Sequence, residues 1–93
     1  MRIIGRLPHR DMQITVFSND GRFPVQFVQG ALTQQYRFRH GPRLRNLADV
    51  DALIDDAFKA EVLATFRSMR ATHERALAGH REAAPDDDLP NII

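Results

Sequence analysis

Residues 12–38 read MQITVFSNDGRFPVQFVQGALTQQYRF, and the way this stretch alternates decides the fold. Met12, Ile14 and Val16 interleave with Gln13, Thr15 and Phe17; Phe23, Val25 and Phe27 interleave with Pro24, Gln26 and Val28; Leu32, Gln34, Tyr36 and Phe38 interleave with Thr33, Gln35 and Arg37. A period of two residues is the signature of strands with one buried face. Asn19-Asp20-Gly21 and Gly30-Ala31 supply the turn residues between them, because glycine and Asp or Asn tolerate the positive φ that tight hairpins need.

The register of these hairpins is testable on the sequence, since a slip of one residue sends every side chain to the opposite face. With Asp20-Gly21 as the turn, Val16 faces Val25 and Ile14 faces Phe27; with Gly30-Ala31 as the next, Phe27 faces Gln34 and Val25 faces Tyr36. Both choices gather Met12, Ile14, Val16, Phe23, Val25, Phe27, Leu32, Tyr36 and Phe38 on one face. Pro24 is the misfit, because a proline in a middle strand forfeits a ladder hydrogen bond, so a bulge or a strand beginning at Val25 is expected.

Outward from this meander, residues 2–7 (RIIGRL) make a further strand before Pro8, and residues 39–45 (RHGPRLR) form a connecting loop. Asn46 is a suitable helix N-cap, acidic residues follow it through Asp56, and Arg67, Arg70, Arg75 and Arg81 come later, the charge order that a helix dipole favours. Apolar residues recur at Leu47, Val50, Ile54, Phe58, Val62, Phe66, Met69 and Leu77 in steps mostly of three or four, which predicts a helix over residues 47–79. The expectation is therefore an α+β domain over residues 1–82: an antiparallel three-stranded meander, four-stranded if residues 2–7 join it, packed against one long C-terminal amphipathic helix. Residues 83–93, with Asp86-Asp87-Asp88 ahead of an apolar end, are expected to be a disordered acidic tail.

The apolar stripe of the helix is not straight. At about 100° per residue, its first half is centred roughly 100° around the axis from its second. Either the helix breaks near residues 59–61, or its halves contact different things. Length favours the second reading, because some 33 residues make about 50 Å of helix whereas a strand of seven or eight spans only about 25 Å. Val62, Phe66, Met69, His73 and Leu77 are then expected to lie beyond the sheet and to form a homodimer interface, antiparallel so that the acidic start of each helix meets the basic end of the other.

Composition bounds the chemistry. The chain has 93 residues, 43% of them apolar, and no cysteine, which excludes disulfides, thiolate nucleophiles and Cys-ligated metals. Its longest apolar runs fall far short of a membrane span, and the start Met1-Arg2-Ile3-Ile4-Gly5-Arg6 lacks the apolar stretch of a signal peptide, so a cytoplasmic protein without membrane contact is expected. His73 and His80 are seven apart rather than at the spacing of helical metal ligands, Asp55 and Asp56 point about 100° apart on a helix, and the glycines occur singly. Ser18, Ser68, His9, Asp11, Asp20 and His40 carry no local nucleophile signature. No cofactor, metal or catalytic centre is expected.

Net charge is only +1, yet it is divided: residues 1–45 hold eight Arg against Asp11 and Asp20, and residues 46–93 hold five basic against ten acidic side chains. Within the basic half, Arg37, Arg39, Arg43 and Arg45 surround Phe38, and Arg37 and Arg39 share the second sheet face with Phe17. Guanidinium groups beside an aromatic ring bind phosphates and stack bases in single-strand binders. The plainer reading is a solvated face, or Arg residues paired with Asp49, Asp51 and Asp55 of the helix; a pI of 8.4 is below that of a dedicated nucleic-acid binder. The function expected is a noncatalytic interaction or adaptor module acting as a homodimer, with a protein partner, and the alternative is a nucleic-acid-binding protein.

Overall fold

The computed structural model describes residues 1–87 and the side chains of residues 1–81. Strands β1 (Arg2–Leu7), β2 (Gln13–Ser18), β3 (Arg22–Gln29) and β4 (Leu32–Arg39) form one antiparallel sheet in sequence order, so the N-terminal segment is a fourth strand. Val16 faces Val25, Ile14 faces Phe27, Phe27 faces Gln34 and Val25 faces Tyr36, the register that the apolar alternation requires. Asp20 and Gly21 both take positive φ (49° and 76°), the signature of a type I′ turn whose twist suits the strands it joins.

Pro24 neither bulges β3 nor delays its start; it sits in regular register opposite Arg37. The parity of the ladder explains why. Arg22 exchanges backbone hydrogen bonds with Asn19, so Pro24, two residues on, directs its donorless nitrogen toward β2 as well. There the regular β2–β3 ladder ends at Val16 and Val25, and the proline leaves no β4 bond unmade. The irregularity lies instead in β1, where an extra residue between Ile3 and Gly5 shifts the pairing and returns Leu7 to the core face opposite Ile14.

The helical segment is two helices, α1 (Leu47–Leu53) and α2 (Asp56–Asp87), rather than one unbroken helix over residues 47–79, and the break falls between them rather than near residues 59–61. Asn46 caps α1 by accepting the Asp49 backbone N–H at 2.9 Å, and Asp55 accepts the Phe58 N–H at 2.9 Å, a second cap that restarts the helix. Spacing supplies the reason. Val50, Ile54, Phe58, Val62 and Phe66 follow at intervals of four, and each such step winds about 40° around a straight helix. Five of them cannot face one sheet unless the axis is reset, which the break does.

α2 runs along β4 in the opposite direction. Phe58 packs on Phe27, Tyr36 and Phe38 with ring centroids 5.8, 5.3 and 6.2 Å apart, and the Val62 carbonyl accepts a hydrogen bond from the Gln34 side-chain amide at 2.9 Å. The Arg70 guanidinium reaches the Gln29 side chain beside the β3–β4 turn. Val62 and Phe66 are therefore buried in the chain's own core with Ile14, Val16, Val25, Phe27, Val50 and Ile54, and Met69 packs half-buried against it. This corrects the expectation that those three residues lie beyond the sheet, because the break starts α2 over the end of β4 and brings them within its span. The overhang begins only after Arg70: residues 71–81 are all exposed. α2 also continues past Gly79 to Asp87, so residues 83–87 prolong the helix, and the rest of the expected tail lies outside the described residues. Gly79 has no positive φ, and a glycine in helical conformation weakens a helix without ending it.

Candidate functional site

Both helices lie on the apolar face of the sheet, and the opposite face carries no covering element among the described residues. Alternation places Ile3, Arg6, Thr15, Phe17, Arg22, Pro24, Gln26, Gln35, Arg37 and Arg39 on it. One row crosses all four strands as Arg6, Thr15, Gln26 and Gln35. The next pairs Ile3 with Phe17 and Pro24 with Arg37, and Arg22 faces Arg39 at the margin. Phe17 is half-buried and Ile3 is 50% exposed, while the four Arg are exposed.

Arg22 and Arg39 are directly opposed like charges, an arrangement that destabilises a sheet by a few tenths of a kcal/mol or more. No carboxylate occupies this face among the described residues; Asp11 and Asp20 stand in the connecting segments. No carboxylate among the described residues compensates the repulsion, and an anion laid across the face would relieve it.

The structure gathers Phe17, Arg37 and Arg39 as the alternation predicts and separates Arg43 and Arg45 from them. Residues 41–44 turn back on themselves through paired Gly41–Leu44 backbone hydrogen bonds of 3.0 and 3.1 Å, carrying the chain off the sheet toward α1. Arg45 then binds Asp49 through its backbone N–H at 2.8 Å and through Nε at 3.7 Å. Arg43 lines a shallow apolar groove with Pro42, Leu44 and Leu53. Arg45–Asp49 is the one ion pair among the described residues, so Asp51 and Asp55 do not neutralise the basic loop.

Two cations of the face escaped the sequence reading. Arg22 was recoverable, because the hairpin register that pairs Val25 with Tyr36 also pairs Arg22 with Arg39. Arg6 was not, because its facing depends on the extra residue in β1. At the other proposed site, His73 borders a shallow depression with Arg70, Glu74 and Leu32 where α2 leaves the sheet, and Leu77, 38% exposed, stands on the overhang.

No helix among the described residues is long and apolar enough to cross a membrane. Comparison with protein-family models, curated proteins and solved structures finds no match for the chain.

Proposed function

We propose that the protein is a noncatalytic binding module of the cytoplasm that lays single-stranded nucleic acid across the uncovered face of its sheet. One observation carries the reading: four Arg, two of them directly opposed, share an open face with Phe17 and, among the described residues, with no carboxylate. Arg22, Arg37 and Arg39 would meet phosphates at one margin, Arg6 would do so in the neighbouring row, and Phe17 offers a ring on which a base stacks. Fluorescence anisotropy with mixed-sequence single-stranded oligonucleotides over a salt series tests it. Binding should weaken steeply with salt, and Arg22→Ala or Arg37→Ala should each flatten the log–log slope by about 0.7, the share of one phosphate contact on a single strand. Absence of binding at low salt removes the reading.

A homodimer is the second reading, favoured by the overhang of α2. Among the described residues its side chains meet nothing beyond the β3–β4 turn, and a second copy offers them the same surface.

A further inference from the structure

A separate cationic cleft lies on the helix-covered side, at the end of the sheet that carries the β2–β3 turn. Arg2, Ser18, His40 and Arg45 line it together with Phe23 and Leu47, so residues from every strand or its immediate flank and from the start of α1 converge there. Among the described residues its lining holds no carboxylate.

His40 is fixed twice: its backbone N–H donates to the Gly21 carbonyl at 3.0 Å, and its ring lies against that of Phe23 with centroids 4.1 Å apart and planes tilted by 39°. Arg45 is steered by Asp49, which it meets through Nε. Its terminal nitrogens have no carboxylate partner among the described residues. Arg2 has no ion-pair partner among them either.

We infer that this cleft binds a phosphomonoester carried on a small flat apolar group. Two permanently charged guanidinium groups, that of Arg45 partly offset by Asp49, present planar forks suited to phosphate oxygens. The Ser18 hydroxyl and the His40 ring supply further polar contacts. Buried Phe23 and half-buried Leu47 give an apolar wall to the group behind the phosphate. The inference does not depend on strand binding at the open face, because the two sets of residues point to opposite sides of the sheet. The same chemistry is offered by a free small phosphomonoester and by the 5′-phosphorylated end of an oligonucleotide.

Heteronuclear NMR titration of the full chain decides the matter, with phenyl phosphate as probe, phenol and inorganic phosphate as controls, and matched short oligonucleotides with a 5′-phosphate or a 5′-hydroxyl. Phenyl phosphate should shift the signals of Arg2, Ser18, His40 and Arg45 saturably and bind more tightly than either control. Arg2→Gln, an exposed substitution that leaves the backbone pairing of β1 with Ser18 in place, should weaken it by about tenfold or more, the loss expected of one charge-assisted hydrogen bond. Arg22→Ala on the opposite face should leave phenyl phosphate binding unchanged while weakening oligonucleotides. A gain for the 5′-phosphorylated oligonucleotide over its 5′-hydroxyl twin identifies a strand end as the source, and equal affinity of the two identifies a free phosphomonoester. Shifts that fail to saturate, that spread evenly over Arg22, Arg37 and Arg39, or that survive Arg2→Gln unchanged overturn the inference, whatever the outcome for strand binding.

Discussion

Gly5 shows how tightly a single residue sets the approach of two elements. A Cβ built at Gly5 falls 2.5 Å from Leu47 Cδ2 and 3.2 Å from Cδ1, so β1 and α1 meet where only a hydrogen fits. Gly5→Ala makes the flexible end of the half-buried Leu47 side chain turn aside, at a cost of about 1 kcal/mol or less. A slightly lowered denaturant midpoint is the expected result, with the loss from Gly5→Ala smaller when it is made in a Leu47→Ala background; an equal effect in the two backgrounds refutes the contact. Phe27 is a stronger case. It is fully buried between Tyr36 and Phe58, so Phe27→Ala should lose about 3–5 kcal/mol, and Phe58→Ala less because that ring is only partly buried. The alternation alone identified Phe27 as core. It equally put Gln34 on the core face without saying why an amide belongs there: the amide accepts from the Tyr36 hydroxyl on the same strand and donates to the Val62 carbonyl of α2, a partner 28 residues away that the local pattern does not reveal.

Among the elements, the strands were the legible part, because a period of two and a turn of two residues leave one register that keeps the apolar set together. The helix break was half legible. The drift of the stripe suggests a break, but near residues 59–61, and helix length favours an unbroken helix instead; Asp49, Asp51, Asp55 and Asp56 form a single acidic run, in which a second cap looks like the acidic first turn of one helix. Asp55→Ala removes the acceptor for the Phe58 N–H and should cost about 1 kcal/mol. Hydrogen exchange should then quicken in the first turn of α2 while β2 and β3 change only with global stability. Uniform acceleration throughout the chain would mean that α1, α2 and the sheet open as one unit, with no local role for the cap. The edges of the sheet explain why its open face need not lead to strand-to-strand aggregation. β1 is short and irregular and carries Arg2 and Arg6, and β4 carries exposed Arg37 and Arg39, which are devices that discourage edge pairing.

At the scale of the whole molecule, α2 sets the principal dimension of 58 Å and raises the question of what its far end does. Residues 71–87 add about 26 Å beyond the last sheet contact, and the described side chains of this stretch, residues 71–81, are all exposed. The burial of Val62 and Phe66 changes how a dimer must be tested. Phe66→Glu would place an unpaired charge in the core and unfold the chain, so a lost dimer in that variant says nothing about the interface. Leu77 is the informative position, exposed and clear of the sheet. The pairing open to two copies is also narrower than the charge order suggests, since Asp55 and Asp56 lie over the sheet at the opposite end of α2 from the overhang. Two overhangs crossing antiparallel would bring Leu77 of each copy near the other and oppose their helix dipoles. Light scattering after size exclusion should then give twice the 10.6 kDa chain mass, and Leu77→Glu should restore the single mass while leaving β-sheet stability unchanged. A mass of 10.6 kDa that persists over an about tenfold rise in concentration, against the mass action that drives association, eliminates the dimer and leaves the overhang to a different partner.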